Sequence, residues 1–220
     1  MVTKRTSELS GEARGYHHGN LREALIDAGV ELARDGGPSA VVLRAVTRHA
    51  GVSHNAAYRH FANQEDLVAA VAERCMAQLA QLMISRADGV QARGAVRRAR
   101  ARLQAIGRTY IDFARTEPGW FRTAFSSARP HPGGSDAAPA PSSEEDEATS
   151  PYLVLAARLD DLVAVGAMTP ERRNGAEYGA WSAVHGLSSL LLDGPLRVLP
   201  DAEVERAIDI VLGVVRRGLE

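Results

Sequence analysis

Cysteine occurs once in the chain, at Cys75, so no disulfide can form within it. That excludes the disulfide-stapled scaffolds and fits a reducing compartment. Aromatic residues make up only 5% of the sequence, and strand-like alternation of apolar and polar residues is hard to find. Unbroken apolar runs of about eighteen residues are missing, so no membrane-spanning helix is expected. The opening MVTKRTSELSGEARGYHH lacks the apolar core of a signal peptide, and the expected compartment is the cytoplasm. Neither charge is in excess: 26 Lys and Arg face 27 Asp and Glu, a formal net charge of -1. A uniformly basic nucleic-acid coat is excluded, but a local basic face is not, because the sum hides the distribution.

What is present is ordinary globular material. The 220 residues are 45% hydrophobic and 24% charged, enough for one compact domain or a small domain fused to a larger one. Apolar residues recur at helical spacing almost throughout. After a polar arm over 1–18, Leu21, Leu25, Ala28 and Leu32 predict a first helix, which Gly36-Gly37-Pro38 ends. Val41, Val46 and Ala50 mark a second, short helix that stops at Gly51. Ser53 offers an N-cap for a third, running to about Phe61, and Asn63 caps a fourth with Glu65 and Asp66 in its first turn. The fourth continues through Leu67, Val71, Cys75, Leu79 and Leu82 to about Arg86. At about 1.5 Å per residue it spans about 30 Å, long enough to connect two domains.

Further helices are predicted over 95–116, on the stripe Leu103, Ile106, Tyr110 and Phe113, and over the short aromatic segment after Pro118-Gly119. Others follow from Ser150-Pro151 to about Val165, from Thr169-Pro170 to Leu192, and over about 201–219. The fold class is therefore all-α, with about nine helices. Between them, residues 127–149 are rich in Pro, Ser, Gly and acid and read as a mobile loop.

The segment Val41–Phe61, VVLRAVTRHAGVSHNAAYRHF, carries the chemistry. Two short helices joined by Ala50-Gly51-Val52 describe a helix-turn-helix, with glycine supplying a left-handed turn at no steric cost. Val46, Ala50, Val52 and Ala57 are spaced to pack the pair together. Arg44, Thr47 and Arg48 are then expected outward on the first helix, and His54, Asn55, Tyr58 and Arg59 on the second. No carboxylate lies between Asp35 and Glu65. A carboxylate-free window on a helix pair is an anion-binding face inside a neutral chain. An α-helix fits a DNA major groove, where an amide such as that of Asn55 can bond adenine edges.

On these residues, about 16–75 resemble the DNA-binding domain of the tetracycline-repressor (TetR) family of bacterial regulators. The resemblance rests on the helix Asn20–Asp35, the Gly-Gly-Pro break, Leu43-Arg44-Ala45-Val46, Gly51-Val52-Ser53, Tyr58-Arg59-His60-Phe61 and Glu65-Asp66-Leu67, all in order. Further on, Trp181-Ser182-Ala183-Val184-His185-Gly186 resembles the Trp–His–Gly signature of one subgroup's ligand-binding domain. The resemblance implies a three-helix DNA-binding domain over 1–66, arm included, and an effector-binding and dimerisation domain over 67–220. It implies a homodimer that binds double-stranded operator DNA and releases it to a small molecule, with no cofactor, no metal and no membrane partner.

Carried over by position, the DNA-binding residues are Arg44, Thr47, Ser53, His54, Asn55, Tyr58, His60 and Gln64. Tyr58 reads either as a phosphate contact or as a core tyrosine. Two positions depart from the family pattern: Val42 stands where Ser or Thr is common, and Gln64 where Lys is common, which implies weaker anchoring to the DNA backbone. Tyr110, Phe113, Trp120, Phe121, Phe125, Trp181 and His185 are candidates for the effector pocket, although the aromatic group reads equally as core and His185 as a buried, hydrogen-bonded histidine. The apolar stripes of the last two helices give Val184, Leu187, Leu191, Ile208, Val211, Leu212 and Val215 as the candidate dimer interface.

Other readings stay open. The adjacent His17 and His18 of the arm are weak evidence for a metal, and the run Arg93, Arg97, Arg98, Arg100, Arg102 and Arg108 reads as a solvated face ahead of a second nucleic-acid face, an anionic-ligand site or a partner surface. An enzyme would need a phosphate loop, a metal cluster or a nucleophile elbow, and the sequence has none. A partner-binding protein whose helix-turn-helix has lost DNA binding is the remaining alternative; salt-dependent binding to a palindrome separates the two.

Overall fold

The computed structural model describes residues 21–126 and 150–219. The arm over 1–18 and the acidic segment 127–149 lie outside the described residues. Among the described residues there are ten α-helices and no strand: α1 Leu21–Gly36, α2 Leu43–His49, α3 His54–Ala57, α4 Gln64–Asp88, α5 Ala95–Thr116, α6 Pro118–Ala124, α7 Pro151–Ala164, α8 Pro170–Arg173, α9 Ala176–Leu192 and α10 Asp201–Leu219.

The start signals act as their chemistry requires. Asn63 Oδ1 accepts the Asp66 amide at 2.8 Å, and the Ser150 hydroxyl accepts the Tyr152 amide at 3.3 Å ahead of Pro151. Each such cap is worth about 1 kcal/mol. Thr169 caps α8 through the Arg172 amide at 3.4 Å. The expected single helix from there to Leu192 is split at Asn174-Gly175, where Gly175 takes a left-handed backbone with φ 72°. Ten helices therefore stand where about nine were expected.

The helices enclose two apolar clusters. Leu25, Ile26, Val41, Val46, Ala57 and Phe61 of the N-terminal elements pack on Leu67, Val71 and Cys75 of α4. One turn later the same helix changes neighbours: Leu79, Met83 and Ala87 pack with Leu103, Ile106 and Tyr110 of α5, and with α7, α9 and α10. Leu82, expected on the apolar stripe, is 44% exposed. The length and composition of α4 match a membrane span, with a best stretch of mean hydropathy 1.4, but half of that stretch is buried against the two clusters. Protein rather than lipid covers its apolar face.

Candidate nucleic-acid interface and internal cavity

The helix pair is built around a few buried contacts. Val46 and Ala57 are fully buried, and Ala50 and Val52 pack beside them. Gly51 turns the chain with φ 68°, and the Val52 amide donates to the Thr47 carbonyl at 2.9 Å. The Ser53 hydroxyl caps α3 by accepting the Ala56 amide at 3.3 Å. Regular α-helix ends at Ala57, short of the expected Phe61. The His60 and Phe61 amides still bond the Ala57 carbonyl at 2.9 and 3.0 Å, and the buried Phe61 ring pins the end.

This arrangement leaves Arg44, Ser53, His54, Asn55, Tyr58, His60 and Gln64 exposed, with Arg48 and Arg59 among them. Tyr58 is 51% exposed and stands edge-on to His54 at 5.0 Å, so it is not a core tyrosine. Thr47 corrects the expectation of an outward side chain. It is 4% exposed, and its hydroxyl donates to the Arg44 carbonyl at 3.1 Å. Thr47 lies one position beyond Val46 on the inward side of a seven-residue helix, so the core claims it. Val42 occupies the N-cap of α2 without any side-chain cap bond. His49 pairs with Glu31 at 2.6 Å.

The second feature is a cavity of about 230 Å³ enclosed by α4, α5, α7, α9 and α10. Met83, Leu103, Ile106, Leu155, Val184 and Leu212 form apolar walls, and Tyr110 and Trp181 add aromatic ones. Arg100, Gln104, Asp209 and Arg216 supply its polar lining. The Trp181 indole N–H donates to the Tyr110 hydroxyl at 3.1 Å, and that hydroxyl also pairs with His185 Nδ1 at 2.8 Å. Burial holds the Tyr110 phenol well above its ordinary pKa, against a smaller opposing effect of the Trp181 hydrogen bond, so the hydroxyl stays protonated.

Of the seven residues expected in a pocket, the structure brings Tyr110 and Trp181 to the cavity wall. Phe121, Phe125 and His185 pack behind Tyr110, with ring centroids 5.6, 6.1 and 6.2 Å from it. Phe113 and Trp120 stack at 6.4 Å on the side facing α1. The reason is the pitch of α5: its apolar stripe is wide enough to face the cavity through Leu103, Ile106 and Tyr110 and then α6 through Phe113. Sequence reasoning placed Arg100 on a solvated Arg-rich face and missed Gln104; the two sit about one turn before Leu103 and Gly107 respectively. Arg216 lies likewise beside the α10 stripe.

Between the cavity and the helix-turn-helix lies a tight joint. Trp120 Nε1 donates to the Val30 carbonyl at 2.8 Å. Arg34 grips both oxygens of Glu117 at 2.8 and 2.6 Å and lies over the Trp120 ring. At Gly119 the backbones of α6 and α1 come so close that a Cβ would sit 2.1 Å from the Arg34 carbonyl oxygen. Salt bridges from Arg74 of α4 to Glu23 and Asp27 tie α1 on its other side.

Five of the seven residues of the expected dimer stripe are also corrected. Val184, Leu187, Leu191, Ile208 and Leu212 are buried within the single chain, and Val211 and Val215 pack against the same core. An amphipathic helix covers its apolar face with its own chain first. The apolar residues left outward on these helices are Tyr178 (61% exposed), Leu190, Ile210 (58%) and Val214 (54%).

The family comparison decides what this arrangement is. Residues 25–71 match the model for bacterial regulatory proteins of the tetR family, and residues 103–215, more than half of the chain, match the tetracyclin repressor-like C-terminal domain. The chain belongs to the tetR family. The C-terminal match covers the region of the Trp–His–Gly resemblance but does not distinguish that subgroup. Among curated proteins nothing matches the chain. Solved structures share the tetR fold. A Rhodococcus protein of unknown function is similar over 94% of this chain and 99% of its own, at 23% identity and TM-score 0.69. A FadR regulator from Bacillus subtilis, in complex with stearoyl-CoA, covers 90% of this chain and 100% of its own at 14% identity and TM-score 0.61. A TetR variant from Acinetobacter baumannii, in complex with minocycline, covers 90% and 94% at 16% identity and TM-score 0.58.

Proposed function

We propose that the chain is a ligand-responsive repressor that binds a palindromic operator as a homodimer in the cytoplasm and releases it when a small molecule occupies the internal cavity. One observation carries the reading: a carboxylate-free, exposed helix pair is joined to an apolar cavity through the Trp120–Val30 and Arg34–Glu117 contacts. Residues 1–66 read DNA; the remainder senses and dimerises. Arg44, Tyr58, His60 and Gln64 act on phosphates and register, Ser53 organises the front of α3, and His54 and Asn55 read bases.

Tyr178, Leu190, Ile210 and Val214 form the self-complementary patch that a two-fold dimer needs. An effector shifts the protein only by binding its two conformations with different affinity. Seated among α5, α9 and Trp181, it acts through Tyr110 and Phe121 on α6, and α6 moves α1 with the reading head. The fold neighbours crystallised with minocycline and with stearoyl-CoA give precedents for ligand binding within this fold.

The reading is tested by titrating the full-length protein against DNA from the promoter of its own and the adjoining gene. A symmetric footprint, with affinity that falls as salt rises, is the expected result. Salt-insensitive binding, or none above random DNA, points instead to a helix pair that has lost its operator, the reading kept open by the uncapped Val42.

A further inference from the structure

The cavity has an unusual polar end. Its walls are apolar over most of their extent, but Arg100, Gln104 and Arg216 line both the cavity and a neighbouring surface groove. That groove continues over Arg93, Arg97 and the first turn of α5. Four arginines therefore serve the two adjoining spaces, with Asp209 as the one carboxylate among the described residues of their lining. The first turn of α5 contains no acidic residue, and its N-cap is Gly94, which has no side chain to satisfy the leading amides. Those amides and the helix dipole add to the same positive field. A solvated Arg face would explain exposed charges on α5 alone. It does not explain why Arg216, from the far end of α10, converges on the same opening.

We infer that the effector is an anionic amphipath, an apolar chain ending in a carboxylate or phosphate headgroup, with the chain in the cavity and the head on Arg100 and Arg216. The inference rests on the effector-cavity reading above. The apolar walls exclude a charged body, because an unpaired charge there is costly to desolvate. The guanidinium groups at the opening offer forked donors that match carboxylate and phosphate oxygens. A head with several phosphates would run on along Arg97 and Arg93; a simple carboxylate would stop at Arg100.

Four probes separate these sources on the full-length protein: decanoate, decanoyl-CoA, decanol and CoA alone. Trp181 on the cavity wall reports occupancy by fluorescence, and calorimetry gives affinity. One or both chain-bearing anions are expected to bind about tenfold or more tighter than decanol at low salt, with the gap closing as salt rises. Arg100→Gln/Arg216→Gln should erase the gap and keep the decanol affinity, which also shows that the variant is folded. Should that variant lose decanol as well, Arg93→Gln/Arg97→Gln tests the phosphate arm and the single Arg100→Gln the carboxylate arm: a selective loss of decanoyl-CoA in the first, or of decanoate in the second, supports the inference, and an anion preference unchanged in both overturns it. Decanoyl-CoA ahead of decanoate assigns the groove to phosphates, and the reverse order assigns a carboxylate at Arg100.

Decanol equal to both anions overturns the inference, and so does CoA alone binding as tightly as decanoyl-CoA. Failure of all four probes with operator binding intact removes the amphipath and leaves the repressor reading standing. An anion preference without operator binding does the reverse.

Discussion

Trp120 donates its indole N–H to the carbonyl oxygen of Val30, 2.8 Å away across the joint between α6 and α1. The ring is fixed from both sides, by Phe113 beneath it and the Arg34 guanidinium over it. This side chain is thus one of the contacts that hold the reading head to the sensing bundle, beside the Arg34–Glu117 pair. Trp120→Phe removes one hydrogen bond and keeps most of the stacking, so unfolding free energy should fall by about 1 kcal/mol. Trp120→Ala should cost about 3–5 kcal/mol. Urea titration of both variants checks this; equal losses would mean that the ring contributes nothing beyond the bond, and no loss in Trp120→Phe that the bond contributes nothing.

Gly119→Ala probes the same joint from the backbone. The added Cβ would meet the Arg34 and Ala33 carbonyl oxygens at 2.1 and 2.2 Å, and neither can rotate away. The variant should lose about 1–3 kcal/mol of stability and bind its operator more weakly, because α1 has to shift. Ligand affinity at the cavity, measured by calorimetry, should be unchanged, since no α6 residue lines the cavity. A variant with native operator affinity would show that the joint yields without moving the head.

Much of this was legible in the sequence, and the failures share one cause. Asn63, Ser53, Thr169 and the Pro118 break are local signals, and each starts an element where the residue types demand it. The helix-turn-helix was readable because its core residues and turn are adjacent in the chain. Which neighbour a helix face meets is not a local property. Phe113 and Tyr110 belong to one stripe yet face different partners, and Leu187 and Ile208 look like an interface only until α5 and α7 are seen to cover them. Thr47 failed for a related reason: polarity suggests an outward side chain, but a short hydroxyl can satisfy itself on the preceding turn.

The exposed and buried faces of the last helices should respond differently to charge. Ile210→Arg and Val214→Arg should leave the monomer folded and shift it from dimer to monomer in sedimentation velocity. Leu187→Arg, at 5% exposure, should unfold the sensing bundle. Dimers that survive both outer substitutions would move the interface to another surface.

Within the helix pair, anchoring and reading should separate. Arg44→Ala should weaken binding to all sequences and make the salt slope about one unit shallower. Asn55→Ala should cost about 1–3 kcal/mol at one position in each half-site and relax the preference there. Thr47→Val, with its side chain already buried, should leave the preference as it is. Site selection with all three decides the assignment; a changed base preference in Arg44→Ala with Asn55→Ala unaltered would reverse it.

Cys75 predicts an alkaline limit. Burial pushes its thiol from the ordinary 9.0 up to about 12, with Arg74 opposing weakly. The unfolded chain therefore loses this proton first. Stability should be intact below about pH 9 and decline as pH rises from there through the folded value. Cys75→Ala should flatten that slope, leaving the part owed to buried Tyr110. The native thiol should also resist alkylation at pH 8 and react on unfolding; rapid modification of the folded protein would place the thiolate in solvent.

Because α4 changes neighbours within the single turn from Cys75 to Leu79, no flexible linker separates the reading head from the sensing bundle at that level. Any graft of this head onto another sensor has to be cut inside a continuous helix, where each residue added or removed turns the two halves by about 100° and shifts them by about 1.5 Å. Only additions close to whole turns restore the original phase, so the spacing of functional grafts should recur with the helical period and not scale with linker length.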